Sequence, residues 1–173
     1  MMTDTKPSLK FVVPVKNITV NGKHIKIPKM GIKQHRLLKD VRSCEDTLKI
    51  LLDSIHPGLN AAEAEYVMLH LCSFNGKCLE EKDGLRLDDV YICTESEFEF
   101  NGEKFKFTPP MLSSEYTHDD ANFLSNHYHD PSVDFHKFPA FIMNWATGLR
   151  KTVALDTPEG TIYGGINILD LLS

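Results

Sequence analysis

Several features that identify enzymes and membrane proteins are missing from this sequence of 173 residues. No stretch reaches the ~18 consecutive apolar residues that a membrane-spanning helix needs, and no long apolar run opens the chain, so we expect neither a transmembrane segment nor a secretory signal. The chain contains no HExxH zinc motif, no GxSxG nucleophile motif and no glycine-rich phosphate loop. We therefore expect no cofactor, and the sequence favours a protein without catalytic activity.

Cysteine is scarce, and the few cysteines follow no recognisable spacing. They are Cys44, Cys72, Cys78 and Cys93. In a cytosolic chain such cysteines are most often small buried hydrophobic residues. We therefore expect all four thiols to be reduced and free of metal.

Acidic residues are rare at the start of the chain, although the whole sequence has a net charge of -5. Residues 1–42 carry ten Lys or Arg and two acids, a balance of +8, whereas residues 43–173 carry nine against 22, a balance of -13. This basic head predicts either a salt-sensitive contact with an acidic protein or anionic lipid, or a solvated face that pairs with the body. Nucleic acid is disfavoured as a partner, because Phe11 is the only aromatic residue within residues 1–42 that could stack on a base. The cluster consists of Lys23, Lys26, Lys29, Lys33, Arg36 and Lys39, of which we select Lys26, Lys29, Lys33 and Arg36 as candidate partner-binding residues.

Two Asn-Gly pairs predict β-hairpins on either side of a helical region. Asn21-Gly22 and Asn101-Gly102 each join alternating apolar residues, which is typical of type I′ turns. Between them, residues 43–58 and 60–76 have apolar residues at helical spacing, and the second helix starts with an Asn-x-x-Glu capping pair. A short basic helix is expected near residues 31–41.

Residues 109–173 predict mainly helices. We expect a helix from about 118 to 129, a second beginning at Pro139, a hairpin around the turn at 156–160, and an apolar tail. The predicted fold class is therefore α+β, a single domain with two β-hairpins bracketing a helical pair. Residues 1–108 would form this core, and residues 109–173 a helical C-terminal subdomain with a short hairpin, packed on the same core.

The segment HDDANFLSNHYHDPSVDFHKF, residues 118–138, is rich in histidine and aspartate. On a helix, His127 and His129 would lie about 200° apart, so they could share a metal only on a strand. We favour a polar seam in which the side chains satisfy local structure. The alternative is a metal site with an open water position. Its residues would be His127, His129, Asp130 and His136, with His118, Asp119, Asp120 and Asp134 as further candidate ligands.

The last third of the chain is where we expect a partner surface. The helix after Pro139 carries a wider apolar arc than a core-facing stripe requires, including Phe141 and Trp145. Behind the Gly164-Gly165 joint, an apolar tail that includes Leu169 and Leu172 must either fold back onto the domain or dock into another chain. We expect docking, with Trp145 as the anchor.

Running similarity then suggests a family. The stretches KNITVNGKHIKIPKMGIKQHRLLKDV, LKILLDSI and AEAEYVMLHLCSFNGKC resemble the baseplate hub distal subunit family of T-even-type tailed bacteriophages. The resemblance covers most of the chain and locates no active site. It implies a late viral protein that is a component or assembly helper of the central baseplate hub, acting by protein–protein binding.

The same resemblance implies partners and a location. The partners would be other baseplate hub and tail proteins, with peripheral contact to the host inner membrane. The protein would be found in the virion tail baseplate, or in the host cytoplasm during assembly. The resemblance also carries an alternative activity, hydrolysis of the γ-glutamyl bonds of folyl polyglutamates, for which the sequence offers no residue constellation.

Overall fold

The computed structural model describes residues 13–32, 45–112 and 119–173. Helices and several small antiparallel sheets alternate along these ranges, which confirms the predicted α+β class. Residues 33–44, which hold most of the expected basic helix, lie outside the described ranges. The helices are α1 Glu45–Ile55, α2 Ala61–Phe74, α3 Asp120–Asn126, α4 Ile142–Arg150 and α5 Gly165–Leu172. The strands are β1 Val15–Val20, β2 Lys23–Pro28, β3 Glu81–Lys82, β4 Leu85–Arg86, β5 Tyr91–Ile92, β6 Glu97–Phe100, β7 Glu103–Lys106, β8 Val153–Thr157 and β9 Gly160–Tyr163.

Both Asn-Gly hairpins form as predicted. Asn21 and Gly22 have φ values of 47° and 76°, and Asn101 and Gly102 have 52° and 78°, as a type I′ turn requires. Strand β1 pairs with β2, and β6 pairs with β7 in a register that sets glutamates opposite lysines. A further hairpin, β3–β4, turns at Asp83-Gly84 and was not predicted.

The predicted capping pair of α2 also clamps the first hairpin onto that helix. The Asn60 side chain accepts a hydrogen bond from the Glu63 amide, and the Glu63 carboxylate accepts one from the Asn60 amide. The buried Glu63 carboxylate lies 2.6 Å from Lys23 Nζ and 3.1 Å from Asn21 Nδ2. Burial raises the pKa of Glu63, but hydrogen bonds from Lys23, the Asn60 amide and Asn21 outweigh it, so the pKa is lowered overall.

A three-stranded sheet joins distant parts of the chain. Strand β8 lies between β5 and β9, with Ala154 opposite both Tyr91 and Tyr163. The alternate residues of β8 face the core, where α5 covers them. The amide of Gly165, at the start of α5, donates to the Glu65 carboxylate at 2.9 Å. The negative charge therefore sits at the positive end of the helix.

The buried side chains form two clusters. The aliphatic core joins β1–β2, α1, α2, β8 and α5, and its members include Ile25, Ile27, Leu52, Val67, Leu69, Leu71, Val153, Leu155, Ile168 and Leu172. The aromatic core joins β6–β7, α3, α4 and the 3-10 turn Phe135–Lys137, and its members include Phe105, Phe107, Phe123, Leu124, Phe135, Trp145 and Leu149. The predicted division of the chain at residue 108 stays a prediction.

No helix within residues 13–32, 45–112 and 119–173 is long and apolar enough to cross a membrane.

Candidate functional site

The aspartates of the polar segment mainly hold local backbone turns. Asp119 Oδ1 accepts hydrogen bonds from the amides of Ala121 at 2.9 Å and Asn122 at 3.2 Å, which caps α3. Further along, the Asp130 side chain accepts from the Ser132 amide at 2.9 Å. Asp134 does the same for the His136 amide at 3.0 Å. These carboxylates satisfy backbone amides that a turn or a helix start would leave unpaired.

Further polar contacts of the segment join α3 to its neighbours. Asp120 forms an ion pair with Arg150 at the end of α4, and the guanidinium lies 4.2 Å from the centre of the Phe123 ring. His136 Nε2 lies 3.1 Å from Asn122 Oδ1. Elements of the aromatic core are therefore connected by charge and hydrogen bonds at their edge.

His127 and His129 pack on different aromatic rings. His127 caps the end of α3 with its ring 4.8 Å from Phe123, and burial lowers its pKa. His129 packs on Tyr128 at 4.5 Å. Helix α3 is shorter than predicted, because the Thr108 amide donates to the His127 carbonyl and draws the chain into an extended bridge.

Within the part of the chain that the structure describes, no group of three His, Cys, Asp or Glu residues is placed to hold a metal ion. His118, one of the candidate ligands, lies outside the described residues. The described geometry therefore gives the metal alternative no support.

The basic head is partly paired with the body. Lys23 is bound to Glu63, and Lys16 lies 3.0 Å from Glu80. Lys29 donates to the Phe74 carbonyl, and its Nζ lies 4.1 Å from the centre of the Phe74 ring. Lys26 is exposed on β2. Lys33, Arg36 and Lys39 lie outside the described residues, so a partner-binding role for the cluster stays a prediction.

Residues 138–143, which we term the aromatic loop, form an exposed apolar segment that ends in the first turn of α4. Its most exposed large side chains are Phe141 (40%) and Met143 (56%), whereas Ile142 is buried. The sequence predicted a helix start at Pro139, but α4 begins at Ile142. The residues before it form a turn closed by a hydrogen bond from the Ile142 amide to the Pro139 carbonyl, 3.2 Å long.

Ring contacts support the aromatic loop from beneath. The Phe141 ring lies 5.1 Å from Phe100 and 5.7 Å from Trp145, and Trp145 stacks on Phe98 at 5.2 Å. Trp145 itself is buried in the aromatic core. In the chain by itself, Phe141 is thus a surface residue, and Trp145 is part of the support beneath it.

The apolar tail folds back, which is the first of its two expected fates. Helix α5 inserts Ile168 and Leu172 into the aliphatic core, and Leu169 is half-buried against it. The expected docking of this tail does not describe the isolated chain, because these side chains fill space beside α2 and β8. A direct partner contact of Trp145, Leu169 or Leu172 stays a prediction.

The described cysteines, Cys72, Cys78 and Cys93, are free. Burial raises the pKa of Cys72 to about 12 and also raises the pKa values of Cys78 and Cys93. The thiolate is the nucleophilic form, so these thiols are poor nucleophiles at neutral pH. Cys44 lies outside the described residues.

Comparison with known proteins identifies the family. No solved structure matches the chain. The chain is 37% identical over 175 aligned positions to the baseplate hub assembly protein gp28 of Enterobacteria phage T4, covering 95% of this chain and 98% of the relative. The family model described as baseplate hub distal subunit matches residues 27–172. The chain therefore belongs to the baseplate hub distal subunit family.

Proposed function

We propose that this bacteriophage baseplate protein acts in assembly of the central baseplate hub by binding other hub proteins, and that the aromatic loop is a principal contact. Family membership supports the first part, together with a relative whose name is that of a hub assembly protein. The single structural observation that supports the second part is the exposed apolar segment at residues 138–143.

The loop has the properties of a protein-binding surface. Aromatic side chains and methionine are enriched at interface cores, and binding energy concentrates in a few such residues. Because Phe141 rests on Phe100 and Trp145, its side chain would lose little conformational entropy when a partner binds. Removing the remaining exposed area of Phe141 and Met143 from water contributes on the order of 1–3 kcal/mol.

A second contact would use the basic head. We assign to Lys26, Lys29, Lys33 and Arg36 a salt-sensitive contact with an acidic hub protein, and to the same residues a peripheral contact with the anionic host inner membrane. Nucleic acid has no part in this proposal. The protein would work in the virion tail baseplate, or in the host cytoplasm during assembly.

The γ-glutamyl hydrolase alternative gains no support from the described residues. Among the described candidates, the aspartates cap turns or pair with Arg150. His127 and His129 pack on aromatic rings, and His136 contacts Asn122 and Asp119.

Genetic complementation tests the proposal. A phage defective in this gene is supplied with the wild-type chain or with the Phe141→Ser/Met143→Ser double variant. We expect assembled baseplates to fall at least about tenfold, the equivalent of ~1.4 kcal/mol of binding. Sedimentation of lysates measures the yield.

The matched control is Ile50→Ser, which changes a side chain exposed on α1 at 68%. Its yield should equal wild type, and all variants should keep the wild-type melting temperature. Full assembly with the double variant would remove the aromatic loop from the mechanism.

A further inference from the structure

The outward face of the β5–β8–β9 sheet carries two exposed tyrosines on either side of β8. Tyr91 and Tyr163 are both opposite Ala154 in the strand register, so the three side chains lie on the same face. Tyr91 is 42% exposed and Tyr163 is 48% exposed, whereas Ala154 between them is buried. The two exposed tyrosines therefore lie on the same face of the sheet, on either side of a buried alanine.

A carboxylate lies beside this surface and is held in place. Tyr91 Oη donates to Asp156 Oδ1 at 3.1 Å, and Thr161 Oγ1 donates to the same oxygen at 2.7 Å. Asp156 is nevertheless exposed. Two hydroxyl donors thus orient an acceptor that faces solvent next to aromatic rings.

The second ring already has a cation of this chain beside it. Lys151 Nζ lies 5.4 Å from the centre of the Tyr163 ring and 3.7 Å from Glu95 Oε1. A cation over the face of an aromatic ring is attracted by the ring quadrupole. The arrangement of Lys151 is therefore an internal example of the contact that a ligand could make.

We infer that this tyrosine face, formed by Tyr91, Asp156, Thr161 and Tyr163, binds an arginine side chain presented by a basic segment of another hub protein. A planar guanidinium can stack on a tyrosine ring while it donates hydrogen bonds to a carboxylate. Charge favours such a partner, because the face presents the exposed Asp156 carboxylate and residues 43–173 together carry a balance of -13. That the partner is a hub protein rests on the proposed function.

Side-chain recognition fits this face better than addition of a strand. Strand β9 is at the edge of its sheet, where an extended peptide could pair. However, Asn167 Nδ2 donates to the Tyr163 carbonyl at 2.8 Å and occupies part of that edge. The exposed rings and Asp156 are therefore the accessible recognition groups.

A charge-matched pair of variants tests the inference. Binding of fluorescently labelled hexa-arginine to the purified full-length protein is measured by anisotropy at physiological salt. Asp156→Asn and Glu97→Gln each remove one exposed negative charge, but Glu97 lies on β6, beside Lys106. We expect Asp156→Asn to weaken binding about tenfold, whereas Glu97→Gln changes it less than about twofold.

Tyr163→Leu separates the contribution of the aromatic ring face from that of apolar surface area. Leucine keeps apolar surface and removes the π face, so we expect a loss of about threefold or more, in keeping with ~0.5–1 kcal/mol for an exposed cation–π contact. Melting curves of all variants should coincide.

Three results would overturn the inference. The first is equal weakening of peptide binding by Asp156→Asn and Glu97→Gln, which would mean unspecific attraction. The second is that no peptide binds at millimolar concentration. The third is that Tyr163→Leu abolishes a self-associated species while no peptide binds. The last result would identify a second copy as the occupant. Baseplate yields of the aromatic-loop variants stay informative in each case, so the proposed function can hold when this inference fails.

Discussion

The aliphatic core and the aromatic core differ in where their chain segments come from and in how completely they bury their side chains. The aliphatic core joins the first hairpin to the C-terminal helix, and its central residues are almost fully buried. The aromatic core is built from β6–β7, α3 and α4, and rings such as Phe100 and Phe138 at its rim are only partly buried.

This difference indicates that the two cores have different roles. The aliphatic core is closed at long range by Glu63 and Glu65, which tie the first hairpin and α5 to helix α2. The aromatic core has polar ties along one edge, including the Asp120–Arg150 pair, and exposes the aromatic loop elsewhere. We therefore treat the first as the scaffold and the second as the region that meets a partner.

The largest expected effect is the loss of the tail. Deleting residues 166–173 removes Ile168 and Leu172 from the aliphatic core, and each such loss costs about 2–5 kcal/mol. We expect the truncated protein to unfold or to melt more than about 10 °C below wild type. Differential scanning calorimetry measures the change.

The control for the deletion is Ile166→Ser, which alters a partly exposed residue of the same helix and should melt close to wild type. A truncated protein that kept its melting temperature would show that the tail is not part of the scaffold.

The next effect distinguishes the buried Trp145 from the exposed Phe141 by the stability that each contributes. Trp145→Ala should reduce the free energy of unfolding by about 3–5 kcal/mol, because the ring is buried and stacked on Phe98. Phe141→Ala should cost less than ~1.5 kcal/mol, because a large part of the ring already faces water. Urea denaturation of both variants gives the two values, and equal losses would contradict the assigned roles.

The smallest of the three effects concerns a buried histidine of the scaffold. His70 is 2% exposed, and neither ring nitrogen has a hydrogen-bond partner among the described residues. Burial, and to a smaller extent Lys16, lowers the pKa of His70 to about 4, against the influence of Asp88 and Glu80. The ring is therefore neutral in the folded protein at pH 7.

Because the unfolded chain takes up this proton near pH 6.5 and the folded chain near pH 4, stability falls as the pH drops through this window. Near pH 4, the lower limit of this window, the free energy of unfolding is lower by about 3 kcal/mol. His70→Phe should remove this part of the pH dependence, whereas the exposed control His24→Phe should keep it. Unfolding free energies between pH 4 and 7 test the pair, and an unchanged slope in His70→Phe would refute the assignment.

Local elements could be predicted from the sequence because their signals are local. Asn21-Gly22 and Asn101-Gly102 force positive φ, and the Asn60–Glu63 box fixes the start of α2. The same rule would have found the β3–β4 hairpin, whose signal is Asp83-Gly84. What counts in each case is the chemistry of a few adjacent residues.

Pairings between distant parts of the chain could not be predicted from the sequence. The β5–β8 pairing depends on Tyr91 meeting Ala154, residues far apart in the chain, and no periodicity encodes such a meeting. The end of α3 was misplaced for a related reason, since Thr108 competes for the His127 carbonyl. The polar segment was interpreted as a seam, but which carboxylate serves which amide depends on the folded turns.

Site-specific photocrosslinking during infection tests whether the aromatic loop contacts a hub protein. A benzoylphenylalanine placed at position 141, in the aromatic loop, is compared with one at position 50 on α1, and crosslinked products are identified by mass spectrometry. We expect position 141 to crosslink to a baseplate hub protein and position 50 not to do so. Crosslinks to hub proteins from position 50 alone, with none from position 141, would contradict this expectation.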